Sequence, residues 1–263
     1  MKKSLFVLLI VALSSLQGFA QDSMPGEETD TLTVTSGESI NGDTLVYKFS
    51  IKRQIDPAAW RNTKQSIEKA EALDADLILI HMNTYGGMVI SADSIRTKIL
   101  NTEIPVYVYV DNNAASAGAL ISIACDRIYM RPGANIGAAT VVNQEGKKMP
   151  DKYQSYMRAT MRSTAEAHGK DTIIAGNDTT YKWKRDPRIA EAMVDESIYI
   201  EGIIDTGKVL TFTASEAMKY GYCEGTANSV KGLLKDAGYS NYKLQEFTPT
   251  NMDTIWIIFT RPV

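Results

Sequence analysis

The hydrophobic and polar positions change period in a regular way along the chain. From Thr44, Leu45, Tyr47, Phe49 and Ile51 alternate with other residues, as a strand requires. Asp56-Pro57 then supplies a cap and a first-turn proline, and Trp60, Thr63, Ile67 and Ala70 recur at helical spacing. Leu77 to Met82 is a short continuous apolar run, the pattern of a strand buried on both faces. Gly86-Gly87 breaks it, and a helix from about Val89 to Leu100 follows. Pro105 opens a strand over Val106 to Val110, Ala114 to Ala124 reads as a closely packed helix of small residues, and Arg127 to Met130 as another strand. Strand and helix alternate about every thirty residues, which predicts an α/β class with a mainly parallel sheet and right-handed crossovers.

The downstream half continues with Pro150-Asp151, which begins a long helix presenting Tyr153, Tyr156, Met157, Thr160 and Met161 and ending at Gly169. Lys170 to Asp186 is polar and reads as an irregular surface loop, followed by a short helix near Arg188 to Val194. Thr213-x-x-Glu216 is a capping box for a helix that Gly221 terminates. The apolar run Ile255 to Phe259 fits either a last strand or the start of a membrane segment. At the other end, Lys2 and Lys3 precede the apolar stretch Leu5 to Leu16, with small residues at Gly18 and Ala20. That is the pattern of a secretory signal peptide over 1–20, short for a membrane span, and it predicts export to a bacterial periplasm. Residues 21–43 are polar and acidic, an expected flexible leader with a short strand at Leu32 to Thr35. The expected globular domain is 44–247, with 248–263 as a tail.

Composition narrows the function classes. The chain has 263 residues, a net charge of −3 and no long basic run, so nucleic acid is a poor candidate partner. Two cysteines, Cys125 and Cys223, are too few for a disulfide scaffold or a cysteine-built zinc site; export leaves a single disulfide between them open, but each sits in an apolar stretch, which favours two buried thiols.

The candidate chemistry lies after two strands. Asn83-Thr-Tyr-Gly-Gly87 follows the first buried strand and Asp111-Asn-Asn-Ala-Ala-Ser-Ala-Gly118 follows the next. Ligands of open α/β sheets bind at the carboxyl ends of strands. Paired glycines let a backbone approach a ligand and aim N–H groups at an oxyanion, and the start of a helix favours an alkoxide on Ser116. The ordinary uses of these residues are a turn and an N-cap, and Ser116 lacks the glycine two positions earlier that marks a nucleophile elbow. A serine nucleophile also needs a base. Of the two histidines, His81 lies inside a strand and is expected to pack there, while His168 ends the long helix. Lysine is the alternative, and it must be neutral to accept a proton. Lys147, Lys148 and Lys152 lie downstream of the turn Arg131 to Ala139, with Lys152 in the first turn of the amphipathic helix.

Three motifs, Asn83-Thr-Tyr-Gly-Gly-Met88, Ala114-Ala-Ser-Ala-Gly118 and Pro132-Gly-Ala-Asn-Ile-Gly-Ala-Ala139, occur here in an order and spacing that resembles the NfeD family of membrane-associated ClpP-class serine proteases, partners of stomatin-like proteins. Tyr47 to Pro57 is similar to that family's first strand and helix start, and Thr213 to Gly221 to its Thr-Ala-x-Glu-Ala-x-x-x-Gly helix. The resemblance implies a ClpP/crotonase-like fold of repeated β-β-α and βαβ units, no cofactor and no metal. It implies a Ser116–Lys152 dyad, with an oxyanion hole from the backbone of Gly87 or Gly86 and of Ala117. It implies an apolar polypeptide substrate, including a stomatin-like membrane protein, and a homo-oligomer. Two departures stand out: 171–186 is longer than the family's short Gly-Arg-Asp-Pro link, and the chain stops where full-length members begin their membrane spans. Two rival readings remain, a protease-like module that binds apolar peptides without cleaving them and a crotonase-like acyl-CoA enzyme. An exported protein meets no cytoplasmic CoA esters, which disfavours the latter.

Overall fold

The computed structural model describes residues 34–36, 44–175 and 178–248. The signal-peptide and tail expectations lie outside them. Four parallel strands form the centre of the sheet: β2 (Thr44–Ile51), β3 (Leu77–Thr84), β4 (Val106–Ala115) and β5 (Arg127–Met130). Outside β2 lie β11 (Tyr242–Glu246), parallel to it, and β1 (Val34–Ser36), antiparallel to β11. Outside β5 lies β10 (Gly225–Thr226), and β4 also pairs with β6 (Asn135–Gly137), which pairs in turn with β9 (Thr211–Thr213). The mainly parallel α/β sheet expected from the alternation is present, and β1 overlaps the strand expected within the leader.

The helices are α1 (Pro57–Ala72), α2 (Val89–Leu100), α3 (Ala117–Ala124), α4 (Asp151–Glu166), α5 (Pro187–Ala192), α6 (Ala214–Lys219) and α7 (Val230–Asp236). Their starts follow from local chemistry. Asp56 Oδ1 accepts the Ala59 N–H at 2.7 Å and Pro57 follows, so α1 begins where its free N–H groups are either capped or missing. Thr213 and Glu216 close the capping box of α6.

Strand alternation sorts the side chains into two cores. Ile78, Ile80 and Met82 of β3 and Val106, Val108 and Val110 of β4 join one core with α1, α2, α3 and α4. Leu77 and Leu79, with Tyr107 and Tyr109, join a smaller one on the opposite face, closed by Leu233 and Leu234 of α7. A continuous apolar run is what a strand needs to serve both.

Two elements differ from the sequence reading. Residues 114 and 115 are strand, not helix: β4 continues to Ala115 because Asn113, Ala114 and Ala115 pair with Asn135, Ile136 and Gly137 of β6. The helix therefore starts at Ala117, with Ser116 at the junction. Where an irregular loop was expected over 170–186, the described residues form a hairpin of β7 (Lys170–Ala175) and β8 (Asp178–Trp183). The β-forming residues Thr172, Ile173 and Ile174 pair with Tyr181, Thr180 and Thr179, and Gly176-Asn177 between the strands is a turn-forming sequence. Cys125 and Cys223 are both free and buried, and burial raises both thiol pKa values.

Candidate active site

Ser116 occupies the turn from β4 into α3 with φ 55° and ψ −117°. A non-glycine residue there stores about 1–3 kcal/mol of backbone strain, which persists only where the surroundings over-determine it. They do so here. The Ser116 N–H donates to the Gly137 carbonyl at 2.8 Å, and its own carbonyl accepts from Ala119 at 2.9 Å. A sharp strand–turn–helix junction is the geometry of a nucleophile elbow, formed without the expected glycine because β6 pins the backbone. Although Ser116 stands at the N-cap position, its side chain caps nothing. The hydroxyl, half-buried, remains available.

The Gly86-Gly87 turn lies against it. A Cβ on Gly86 would stand 2.6 Å from Ser116 Cβ, so a side chain and the serine cannot both fit. Gly87 is tied to Ile55 as a short parallel bridge: Ile55 N–H donates to the Gly86 carbonyl at 2.9 Å and Met88 N–H to the Ile55 carbonyl at 2.7 Å. In an extended segment the N–H of the intervening residue points the other way. Ile55 follows β2 on one side of β3, and Ser116 follows β4 on the other, so the Gly87 N–H is aimed to the side of Ser116. The Gly86 N–H is occupied, donating to Thr84 Oγ1 at 3.1 Å. Ala117 opens α3, where N–H groups have no helical partner. Among the described residues neither the Gly87 nor the Ala117 N–H has a hydrogen-bond partner.

Thr84 was not singled out from the sequence, yet it sets this turn. Its buried hydroxyl donates to the Arg53 carbonyl at 2.7 Å while accepting from Gly86. Only its place within the Asn83–Gly87 motif could have pointed to it. Around the turn Tyr85, Met88 and Ile90 are exposed at 80%, 48% and 78%, an apolar rim. A rim of that kind suits an apolar chain.

Lys152 stands in the first turn of α4, exposed, with Nζ 5.2 Å from the centre of the Tyr153 ring. The fold links that turn, through the Gln154 side chain, to the segment that follows β6. Gln154, buried, grips Val141 through both its backbone groups at 3.0 and 2.7 Å and takes the Met149 carbonyl at 3.0 Å, and Val141 lies four residues beyond Gly137, the partner of Ser116. It does not bring Lys152 into contact: among the described residues no hydrogen bond joins Lys152 to Ser116. Gln154 is a second residue that sequence reasoning missed. A buried glutamine on an amphipathic helix was its signal.

The other candidate bases are committed elsewhere. Lys148 Nζ binds Glu196 at 2.7 Å. His168 Nε2 lies 2.6 Å from the Ile123 carbonyl, at the far end of α3 from Ser116, and burial lowers its pKa with help from the Arg185 charge. His81 lies on the opposite sheet face, its Nε2 3.1 Å from Asp111 Oδ2, while Asp111 also binds Arg131 at 2.7 Å. Burial lowers the His81 pKa too. Among the described residues no group of three or more His, Cys, Asp or Glu could hold a metal ion, and no helix is long and apolar enough to cross a membrane.

Similarity to known proteins bears on the family and the fold. Residues 45–179 and 177–247 match the family described as "NfeD1b, N-terminal domain". The chain is 34% identical over 200 residues to the membrane protein NfeD1b of Bacillus subtilis, covering 76% of this chain and 42% of that protein. It is 29% identical over 224 residues to the membrane-bound protease PH1510 of Pyrococcus horikoshii, covering 82% and 44%. The chain thus spans less than half the length of these relatives. Among solved structures, a lysine-to-alanine mutant of the 1510-N membrane-bound stomatin-specific protease, in complex with a substrate peptide, superposes with a TM-score of 0.66 at 26% identity, over 82% of this chain and 98% of that one. A ClpP1 mutant from Listeria monocytogenes (20% identity, TM-score 0.51, 71% and 94% covered) shares the fold. The sheet is thus ClpP-like, and with a family match that runs through most of the described residues, the chain belongs to the NfeD1b family through its N-terminal domain.

Proposed function

We propose that the protein is a serine endopeptidase in which Ser116 is the nucleophile, Lys152 the general base, and the N–H groups of Gly87 and Ala117 the oxyanion hole. The observation that carries the reading is the strained, uncapped Ser116 packed against Gly86 with two unengaged N–H groups beside it. In acyl transfer, Ser116 Oγ attacks the scissile carbonyl and gives its proton to neutral Lys152; the carbonyl oxygen becomes an oxyanion between the two N–H donors. The amine leaves with a proton from Lys152, and the same lysine then activates water to release the acyl group. For this Lys152 turns its four-carbon stem from the Tyr153 ring towards Ser116.

The apolar rim of Tyr85, Met88 and Ile90 supports an apolar substrate segment. The relationship to a membrane-bound, stomatin-specific protease supports a stomatin-like membrane protein as its source and a membrane-associated working form; export and homo-oligomerisation enter the reading from the sequence pattern and the family resemblance alone. No cofactor enters the chemistry. The exposed Lys152 favours one rival, a module that binds apolar peptides without cutting them. The test is cleavage of an apolar peptide by the wild type, Ser116→Ala and Lys152→Ala from pH 6 to 10. Activity abolished in both variants, and rising with pH in the wild type, supports the dyad; peptide binding without cleavage in all three establishes the binding module.

A further inference from the structure

The helix that carries Ser116 is unusual in what holds it. All eight residues of α3 are buried, and the single polar side chain among them, Ser122, has no partner for its Oγ. Apolar packing resists separation of a helix from its neighbours but is weakly directional along the helix axis. The position of Ser116 along that axis is therefore decided at the helix ends. At the N-terminal end the tolerance is small, since Gly86 lies against Ser116 and Gly118 against Thr84.

At the C-terminal end the carbonyls that α3 cannot use internally are taken by two side chains from elsewhere. Arg185 is 2% exposed and spends its guanidinium there. Its Nη1 donates to the Cys125 carbonyl at 2.8 Å and the Ile123 carbonyl at 3.3 Å, and its Nη2 to the Asp126 carbonyl at 3.1 Å. Nη2 also meets Glu224 Oε1 at 3.3 Å, and the other Glu224 oxygen accepts the Ile128 N–H of β5 at 2.5 Å. His168 Nε2 adds its bond to Ile123 at 2.6 Å. A buried guanidinium on a helix C-terminus also complements the negative end of the helix dipole. Both clamping residues stand at the feet of the β7–β8 hairpin, whose base is closed by the Lys184 N–H to the Gly169 carbonyl at 3.2 Å.

We propose that Arg185 and His168 are positioning residues for Ser116, fixing α3 along its axis by its C-terminal carbonyls so that the nucleophile stays in register with the Gly87 and Ala117 N–H groups. The catalytic part of this rests on the protease reading above; the mechanical part does not. An eight-residue helix spans about 12 Å, so neither residue touches substrate, and the effect travels through the helix as a rigid element.

The experiment compares Arg185→Met, Arg185→Lys, His168→Leu and His168→Gln. Each is measured well below its own melting temperature by three readouts: the second-order rate of covalent labelling by a fluorophosphonate, kcat and KM on an apolar peptide, and hydrogen exchange of segment 113–119. Arg185→Met is expected to slow labelling and kcat on the order of tenfold with KM little changed, and to speed exchange at 113–119 but not in β3. Arg185→Lys is expected to fall between it and the wild type. His168→Gln, which keeps an N–H for Ile123, should exceed His168→Leu, and this pair decides the matter if Arg185→Met does not fold. Folded variants with lowered melting temperature but wild-type labelling and exchange would overturn the proposal. A wild type that never labels, with exchange at 113–119 still raised in the variants, would overturn the protease reading and leave the positioning role standing.

Discussion

The two halves of the candidate dyad are held very differently. Ser116 sits in a strained backbone conformation with its N–H on β6, its side chain against Gly86 and its helix clamped at the far end. Lys152 stands on an exposed first turn with its ammonium over Tyr153, and the segment behind it is held by the buried Gln154, by backbone bonds such as the Met149 N–H to the Val141 carbonyl, and by the exposed Lys148–Glu196 pair. Strain must be supported by rigid surroundings, whereas a long flexible amine can reach its partner by rotating its own stem. The nucleophile side should therefore be intolerant of small changes and the lysine side tolerant of all but loss of the amine.

The largest expected effect is Gly86→Ala. The added Cβ meets Ser116 Cβ at 2.6 Å with φ +110°, and cleavage or fluorophosphonate labelling should fall by roughly a hundredfold or more. Near-normal labelling would mean that the nucleophile side is more pliant than its contacts indicate. Thr84→Val comes next. It leaves the Arg53 carbonyl and Gly86 N–H without their partner in a buried site, a loss of about 1–3 kcal/mol readable as a urea midpoint shift, with slower labelling. On the lysine side, Gln154→Leu should weaken the hold on 141–149 and lower kcat severalfold while segment 113–119 keeps its wild-type hydrogen-exchange protection, which separates the two halves in one variant. Losses in both assays would merge them.

A smaller effect concerns pH. Burial, with Arg185 beside His168 and Lys52 beside His81, holds both imidazoles below their ordinary value. Their folded pKa values lie below the unfolded one, so the native state resists protonation. The stability they contribute is complete above the unfolded value of about 6.5 and is lost as pH falls towards the folded values. Urea midpoints measured from pH 7.5 to 5 should therefore drop, and His168→Gln should flatten part of that slope. The smallest expected effect is Ile173→Thr on the exposed hairpin, within about 0.5 kcal/mol of wild type by the same measurement.

Much of the architecture was legible in the residues themselves. The apolar run Leu77 to Met82, the Asp56-Pro57 start of α1 and the Thr213–Glu216 box of α6 each impose a local structure with little alternative, and each formed as read. Ser116 and the glycine pair were legible as candidates because strand ends and paired glycines have few other uses in that order. The hairpin was missed because its polar residues hid a run of β-forming ones, whose pairing partners lie on the far side of Gly176-Asn177 in the sequence.

The sequence by itself thus determined the periodicity, the class and the residues with chemistry to offer. Tertiary structure decided what those residues face. The continuation of β4 through Ala115 depends on β6, twenty residues away, and with it the strained turn at Ser116. Which glycine N–H is left unengaged depends on Ile55 and Thr84. That Arg185 and His168 meet at the end of α3 depends on packing between segments far apart in the chain. Local propensity acts over a few residues, whereas hydrogen-bond partners and burial are set by segments brought together only when the core closes, and pattern along the chain carries no record of that.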